Sequence, residues 1–277
     1  MPRLALALLP CFLCALGMNC FGVDSKPADP IVNGSPLSYW LRNFDIRSSK
    51  RDVPAVEGAI TKLGTNAIPF LVYEMKSGER AQKTNLSADQ ISDAMYRSTW
   101  AAQGLAYLGD RAAYVIPELI AYMTNGDSGT VRVTGDVLTI FGEKGVRAIV
   151  AGLANPVEDS RLEAAGVLRT LTTNIAPIVP DIFANMDHLG EISASQCANA
   201  IVKSGLSSSV IAKGFIDKLS STNADCRMVS TWYLERLGTN AIEAVPQLQR
   251  LLSDTNENVR SGAEDALQAI NTEKARQ

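Results

Sequence analysis

The 277-residue sequence predicts an all-α chain of repeated helical hairpins, and three observations carry that prediction. The first is a period. Gly64, Gly109, Gly142, Thr172, Gly205, Gly238 and Asn271 each close an apolar helical stretch, at successive intervals of 45, 33, 30, 33, 33 and 33 residues. The second is a column of large residues four places earlier: Ile60, Leu105, Leu138, Leu168, Ile201, Leu234 and Leu267. The third is a mostly small column eight places earlier: Val56, Ala101, Thr134, Ala164, Cys197, Ser230 and Ala263. Both columns fall on one face of an α-helix, so each stretch carries an apolar stripe. Small residues let a neighbouring helix approach, and Leu or Ile fills the space beside them.

The elements follow in chain order. Arg3, the apolar run Leu4 to Leu16 and the small residues after it read as a secretory signal peptide over 1–22, cleaved after Gly17 or Gly22. The run falls short of the ~20 apolar residues that span a bilayer. Gly17-Met18-Asn19, ahead of Cys20, lacks the pattern that favours lipid attachment. Residues 23–35 are rich in Pro, Asp, Gly and Ser and are expected to form a flexible linker. Pro36 to Phe44 places Leu37, Trp40, Leu41 and Phe44 on one helical face, as a cap over the end of a stack.

The repeats occupy 36–271, with units ending near 64, 109, 142, 172, 205, 238 and 271. In each unit a first helix follows a turn such as Gly64-Thr65-Asn66-Ala67-Ile68-Pro69 or Gly238-Thr239-Asn240-Ala241-Ile242, where Thr and Asn suit helix N-caps. Pro117, Pro180 and Pro246 predict that these first helices are bent or start late. Met75 to Gln90 holds the surplus of the long first interval and, being polar, is expected as a solvated loop. The charged tail 272–277 is expected to be disordered.

Two openings, Leu108-Gly109 to Pro117-Glu118-Leu119 and Leu237-Gly238 to Pro246-Gln247-Leu248, resemble the HEAT-repeat family. An Arg near the start of the second helix adds to the resemblance: Arg161, Arg227 and Arg260, with Arg132 one place late and Ala194 in its stead once. The resemblance covers roughly residues 50–271 and implies a right-handed α-solenoid, the armadillo-like superhelix of stacked hairpins. Leu37-Ser38-Tyr39-Trp40-Leu41 followed by the Gly64 turn is also similar to exported bacterial HEAT-repeat proteins of unassigned role. The signal peptide, with that likeness, implies a periplasmic or secreted protein.

Chemistry-bearing motifs are scarce. Without residues 1–22 the chain has 25 basic residues (26 less Arg3) and 29 acidic ones, a net charge of −4 that offers no footprint for nucleic acid. Cys197 and Cys226 then remain, on adjacent units, and read as two small buried residues. His188 is the single histidine and is expected in a surface turn, so no metal-ligand spacing exists. No phosphate loop or nucleophile motif appears, and no cofactor, metal site or catalytic residue is expected.

What remains is a surface. On the second helices, a face offset from the buried stripe carries Tyr96, Trp100, Gln103 and Tyr107, and in a later unit Asp225, Trp232 and Arg236. Exposed Trp, Tyr and Arg dominate binding hot spots, and the alternative for Trp100 and Tyr96 is that they fold back onto the neighbouring hairpin as core. The expectation is a non-catalytic scaffold that binds an envelope protein or peptide. A lyase or ligand-binding enzyme similar to the HEAT-like bilin lyases is the rival reading, invited only by the aromatic cluster of Tyr96 to Tyr107. A purely structural accessory module is the third.

Overall fold

The computed structural model describes residues 26–44, 52–171 and 174–274. The expected signal peptide lies outside them, as does the Thr172 terminator. Among the described residues the fold is all-α apart from one two-stranded hairpin, β1 (Ile31–Val32) with β2 (Ser35–Pro36). Fifteen α-helices follow among the described residues: α1 (Leu37–Leu41), α2 (Val53–Leu63), α3 (Ile68–Met75), α4 (Ser77–Gln82), α5 (Ala88–Leu108), α6 (Ile116–Asn125), α7 (Ser128–Leu138) and α8 (Gly142–Ala151). The rest are α9 (Glu158–Thr170), α10 (Val179–Asn185), α11 (Glu191–Val202), α12 (Ser208–Lys218), α13 (Ala224–Leu237), α14 (Val245–Leu251) and α15 (Glu257–Lys274). None is long and apolar enough to cross a membrane.

The second helices of the units are α2, α5, α7, α9, α11, α13 and α15, and each touches the next. Each first helix also packs on its own second helix, as α3 on α5, α6 on α7, α8 on α9 and α12 on α13. The small column explains the close approach. Val56, Ala101, Thr134, Ala164, Cys197, Ser230 and Ala263 are all fully buried. The large column is buried from Ile60 through Leu234, while Leu267, on the last helix, is only partly covered. Gly104 shows how tight the contact is: a Cβ there would lie 3.0 Å from Leu71 Cδ2 and 3.2 Å from Ile60 Cδ1.

The unit ends have a specific backbone. Gly64, Gly109, Gly142 and Gly238 hold φ of 54 to 57° with ψ of −129 to −138°. That is not the ordinary left-handed helical cap but a region open essentially to glycine alone. It turns the chain straight into the next unit, through 3-10 turns after Gly64, Gly109 and Gly238. Asn271 corrects the expected seventh terminator, because α15 runs past it to Lys274. Asparagine carries no such φ here, and the helix simply continues.

Three further expectations change. The part of the linker from Lys26 onward is not a flexible tether: Asn33 (φ 53°) and Gly34 (φ 78°) form a tight turn, and Lys62 Nζ donates to Asn33 Oδ1 at 2.7 Å. The Thr-Asn turns do not cap α3 or α14 by side chain; they sit inside 3-10 segments. Pro69, Pro117, Pro180 and Pro246 then occupy the first turn of α3, α6, α10 and α14, so those helices start late and are not kinked. The surplus of the first unit is a loop only in part: Ser77–Gln82 folds as α4, packed on α5 and α7, while residues 83–87 form the exposed loop that was expected.

The recurring Arg has a structural task. Nη1 of Arg161, Arg227 and Arg260 donates at 2.8 Å to the carbonyl six residues earlier, on Asn155, Ser221 and Asp254. Those three side chains in turn accept from the backbone N–H two places on. Arginine and turn residue thus close the link between the two helices of a unit. The unit with Ala194 in the arginine position is served from outside: Asn223 Nδ2 donates to the Asp187 and Leu189 carbonyls at 3.2 and 2.8 Å.

Candidate functional site

The seven residues expected to line a partner face do not share one environment. Trp100 is only 5% exposed and belongs to the core, which corrects its assignment to the surface. Tyr96 is partly buried beside it, with ring centroids 6.1 Å apart and planes 27° from parallel. Trp100 lines one cleft with Leu41 and Phe70, and α1 and α3 both pack on α5. Tyr107 (47% exposed), Gln103 and Arg236 do face solvent, whereas Asp225 is half-buried and Trp232 packs partly on the core. Tyr107 and Arg236 stand on α5 and α13, which are not neighbours among the second helices.

His188 is exposed at the end of a 3-10 turn, as a surface turn residue should be. Cys197 and Cys226 are free and buried, and burial pushes their thiols up to about 12 and about 11. Neither is a reactive thiolate at neutral pH. Among the described residues no group of His, Cys, Asp or Glu could hold a metal ion.

A cleft that no sequence motif marks lies against the middle of α5. Phe70 and Glu74 of α3, Arg97 and Trp100 of α5, Leu41 of α1, Arg42 just after it, and Lys26, Asp29 and Ser38 enclose about 100 Å3. A second, more open hollow of about 200 Å3 shares Lys26, Glu74 and Arg97 with it and adds Tyr73 and Arg80. The N-terminal segment forms one wall and is pinned in place. Trp40 Nε1 donates to the Val32 carbonyl at 3.0 Å, and the Ser38 N–H donates to Asp29 Oδ1 at 3.2 Å.

Polar pairing in the cleft is incomplete. Glu74 is 5% exposed, and its Oε2 has no hydrogen-bond partner. Among the described residues the cation paired with it, Arg97 Nη1, stands 4.0 Å away, beyond hydrogen-bond reach. Arg97 Nε is likewise buried and unbonded, with Asp93 Oδ2 at 3.4 Å outside hydrogen-bonding geometry. Arg80, by contrast, is committed: it donates to the Tyr73 carbonyl at 2.7 Å and lies 3.7 Å over that ring. Glu79 on α4 is also committed. Burial alone raises its carboxyl, but Lys83 at 2.6 Å and Lys76 at 3.5 Å outweigh burial and leave it below the usual range. Glu74 did leave a trace in the sequence, as the one charge inside the apolar run Ile68 to Met75. No spacing tied it to Lys26 or Arg97, because their meeting depends on how the N-terminal segment folds back.

No family model matches the chain, and no curated protein matches it. Among solved structures it is similar to the crystal structure of an engineered protein, 17% identical over 85% of this chain and 96% of that one, with a TM-score of 0.27. A superposition that loose carries no argument about fold or function.

Proposed function

We propose that this chain is an exported, non-catalytic interaction scaffold: a right-handed α-solenoid of HEAT-type hairpins that holds an envelope protein or peptide. One observation carries the reading most: every second helix packs on the next through the fully buried small column. Helices held in that register present their outward residues as one continuous surface, the property repeat proteins use for binding. On that surface Gln103, Tyr107 and Arg236 are solvent-facing and Trp232 is half-covered, so an aromatic and cationic set is available at low ordering cost. Export rests on the leader-like residues 1–22.

The test compares wild type with Tyr107→Ala and Arg236→Ala in affinity capture from the native envelope, read by mass spectrometry. Both variants should keep the wild-type circular dichroism and melting temperature, and each should lose the same specific partner. A partner retained by both variants, or no specific partner for wild type, overturns the reading.

A further inference from the structure

We propose that the cleft between α3, α5 and the N-terminal segment binds a free amino acid as its zwitterion, the ammonium on Glu74 and the carboxylate among Lys26, Arg42 and Arg97. The inference is independent of the scaffold reading and starts from Glu74. A carboxylate oxygen so deeply buried costs free energy unless something donates to it, and the described residues supply no donor. Thr134, Arg161 and Gln196 also hold unbonded buried atoms, but none of them lines this cleft.

The charges select the ligand. The inner cavity is lined by three cations, Lys26, Arg42 and Arg97, and two anions, Asp29 and Glu74, a balance of +1. A simple cation would satisfy Glu74 but add to that excess. A simple anion would meet the cations and leave Glu74 unpaired. A molecule carrying a strong donor and a carboxylate a few bonds apart answers both needs. About 100 Å3 bounded by Leu41, Phe70 and Trp100 leaves room for a small or medium apolar side chain and excludes a folded partner.

The test uses the full chain and titrates L-amino acids one by one, by calorimetry and thermal shift. Three probes matched to the best ligand follow: its N-acetyl derivative without the ammonium, its amide without the carboxylate, and its α-hydroxy acid with a hydroxyl in place of the ammonium. At least one amino acid should bind and raise the melting temperature, and each probe should bind roughly tenfold or more weakly. Glu74→Gln should abolish the binding yet not lower the melting temperature of the ligand-free protein, because Glu74 Oε2 makes no hydrogen bond and meets Arg97 only at 4.0 Å. Arg42→Ala, at an exposed position, keeps the fold and should weaken binding from the carboxylate end. No binding by any amino acid at millimolar concentration overturns the proposal and leaves the cleft to water. Equal binding of the α-hydroxy acid overturns the ammonium assignment. A Glu74→Gln protein that melts earlier without ligand marks the carboxylate as structural and overturns it too.

Discussion

Two arginine–carboxylate pairs, one toward each end of the chain, differ in how completely they are bonded. Arg227 of α13 meets Asp254, in the link to α15, by Nε to Oδ2 and Nη2 to Oδ1, both at 2.8 Å. The same guanidinium donates to the Ser221 carbonyl, and Asp254 Oδ1 also accepts from the Asn256 N–H. Arg97 and Glu74 are equally placed to join two helices, yet they stand 4.0 Å apart with an unbonded nitrogen on one and an unbonded oxygen on the other. A buried pair is held firmly only when geometry and the remaining hydrogen bonds are complete. The C-terminal pair meets that condition and belongs to the architecture. The N-terminal one does not, and it lines the cleft.

The strongest challenge to this contrast is Asp254→Ala. It leaves the Arg227 guanidinium, whose side chain is 13% exposed, without its carboxylate, and should cost about 3 kcal/mol in urea unfolding. The Arg227 hydrogen bonds hold the Asp254 carboxyl below its ordinary range. A folded-state value below the unfolded one stabilises fully above the ordinary carboxylate range, and that stability is lost as pH falls through the folded value. Wild type should therefore lose this contribution only in strong acid, and Asp254→Asn should show no such step between the two values. An Asp254→Ala protein as stable as wild type would remove the architectural reading of the pair.

Next comes a matched pair in the large column. Leu105 and Leu234 are both fully buried on α5 and α13. Truncation of either to Ala should cost about 2–5 kcal/mol, and the two losses should be similar. A loss below ~1 kcal/mol at Leu105 alone would mean that the N-terminal units are loosely packed, and the incomplete pair of Glu74 would then be a symptom of that.

The smallest effects sit in one helix. Gly64 ends α2 at φ 56° and ψ −134°, and a Cβ added there would meet nothing within 4 Å. Ala at this position should cost about 1–3 kcal/mol from backbone strain alone. Gly58, six residues earlier and helical, also has open space around it. Gly58→Ala should stabilise by roughly 0.5–1 kcal/mol, since alanine loses less entropy in a helix. Opposite signs within α2 in urea unfolding would establish that conformation, not crowding, selects glycine at unit ends.

Much of this was legible in the residues, and the reasons for the failures are local. The small column predicted burial at every position, because a periodic stripe has only one way to be dry. Asn33-Gly34 is itself a hairpin signal, yet the Pro, Asp and Ser around it hid that signal in a linker-like composition. The polar residues of Ser77–Gln82 read as a loop because their helix is short and is buried partly through Ser77 and Glu79, which carry no apolar period. Asn271 matched a terminator by spacing alone, and spacing does not report the backbone angle that makes a terminator.

The order of residues alone was enough for the all-α class, the period, the buried columns and the glycines that end the units. Those depend on contacts between residues a few places apart and on a pattern repeated down the chain. Long-range packing was needed to make Trp100 core, to fold Ser77–Gln82 as a helix, and to bring Lys26, Arg42, Glu74 and Arg97 into one cleft. Lys26 and Arg97 stand more than seventy positions apart and carry no mutual signal in a single chain. Their meeting is set by which surface the N-terminal segment covers.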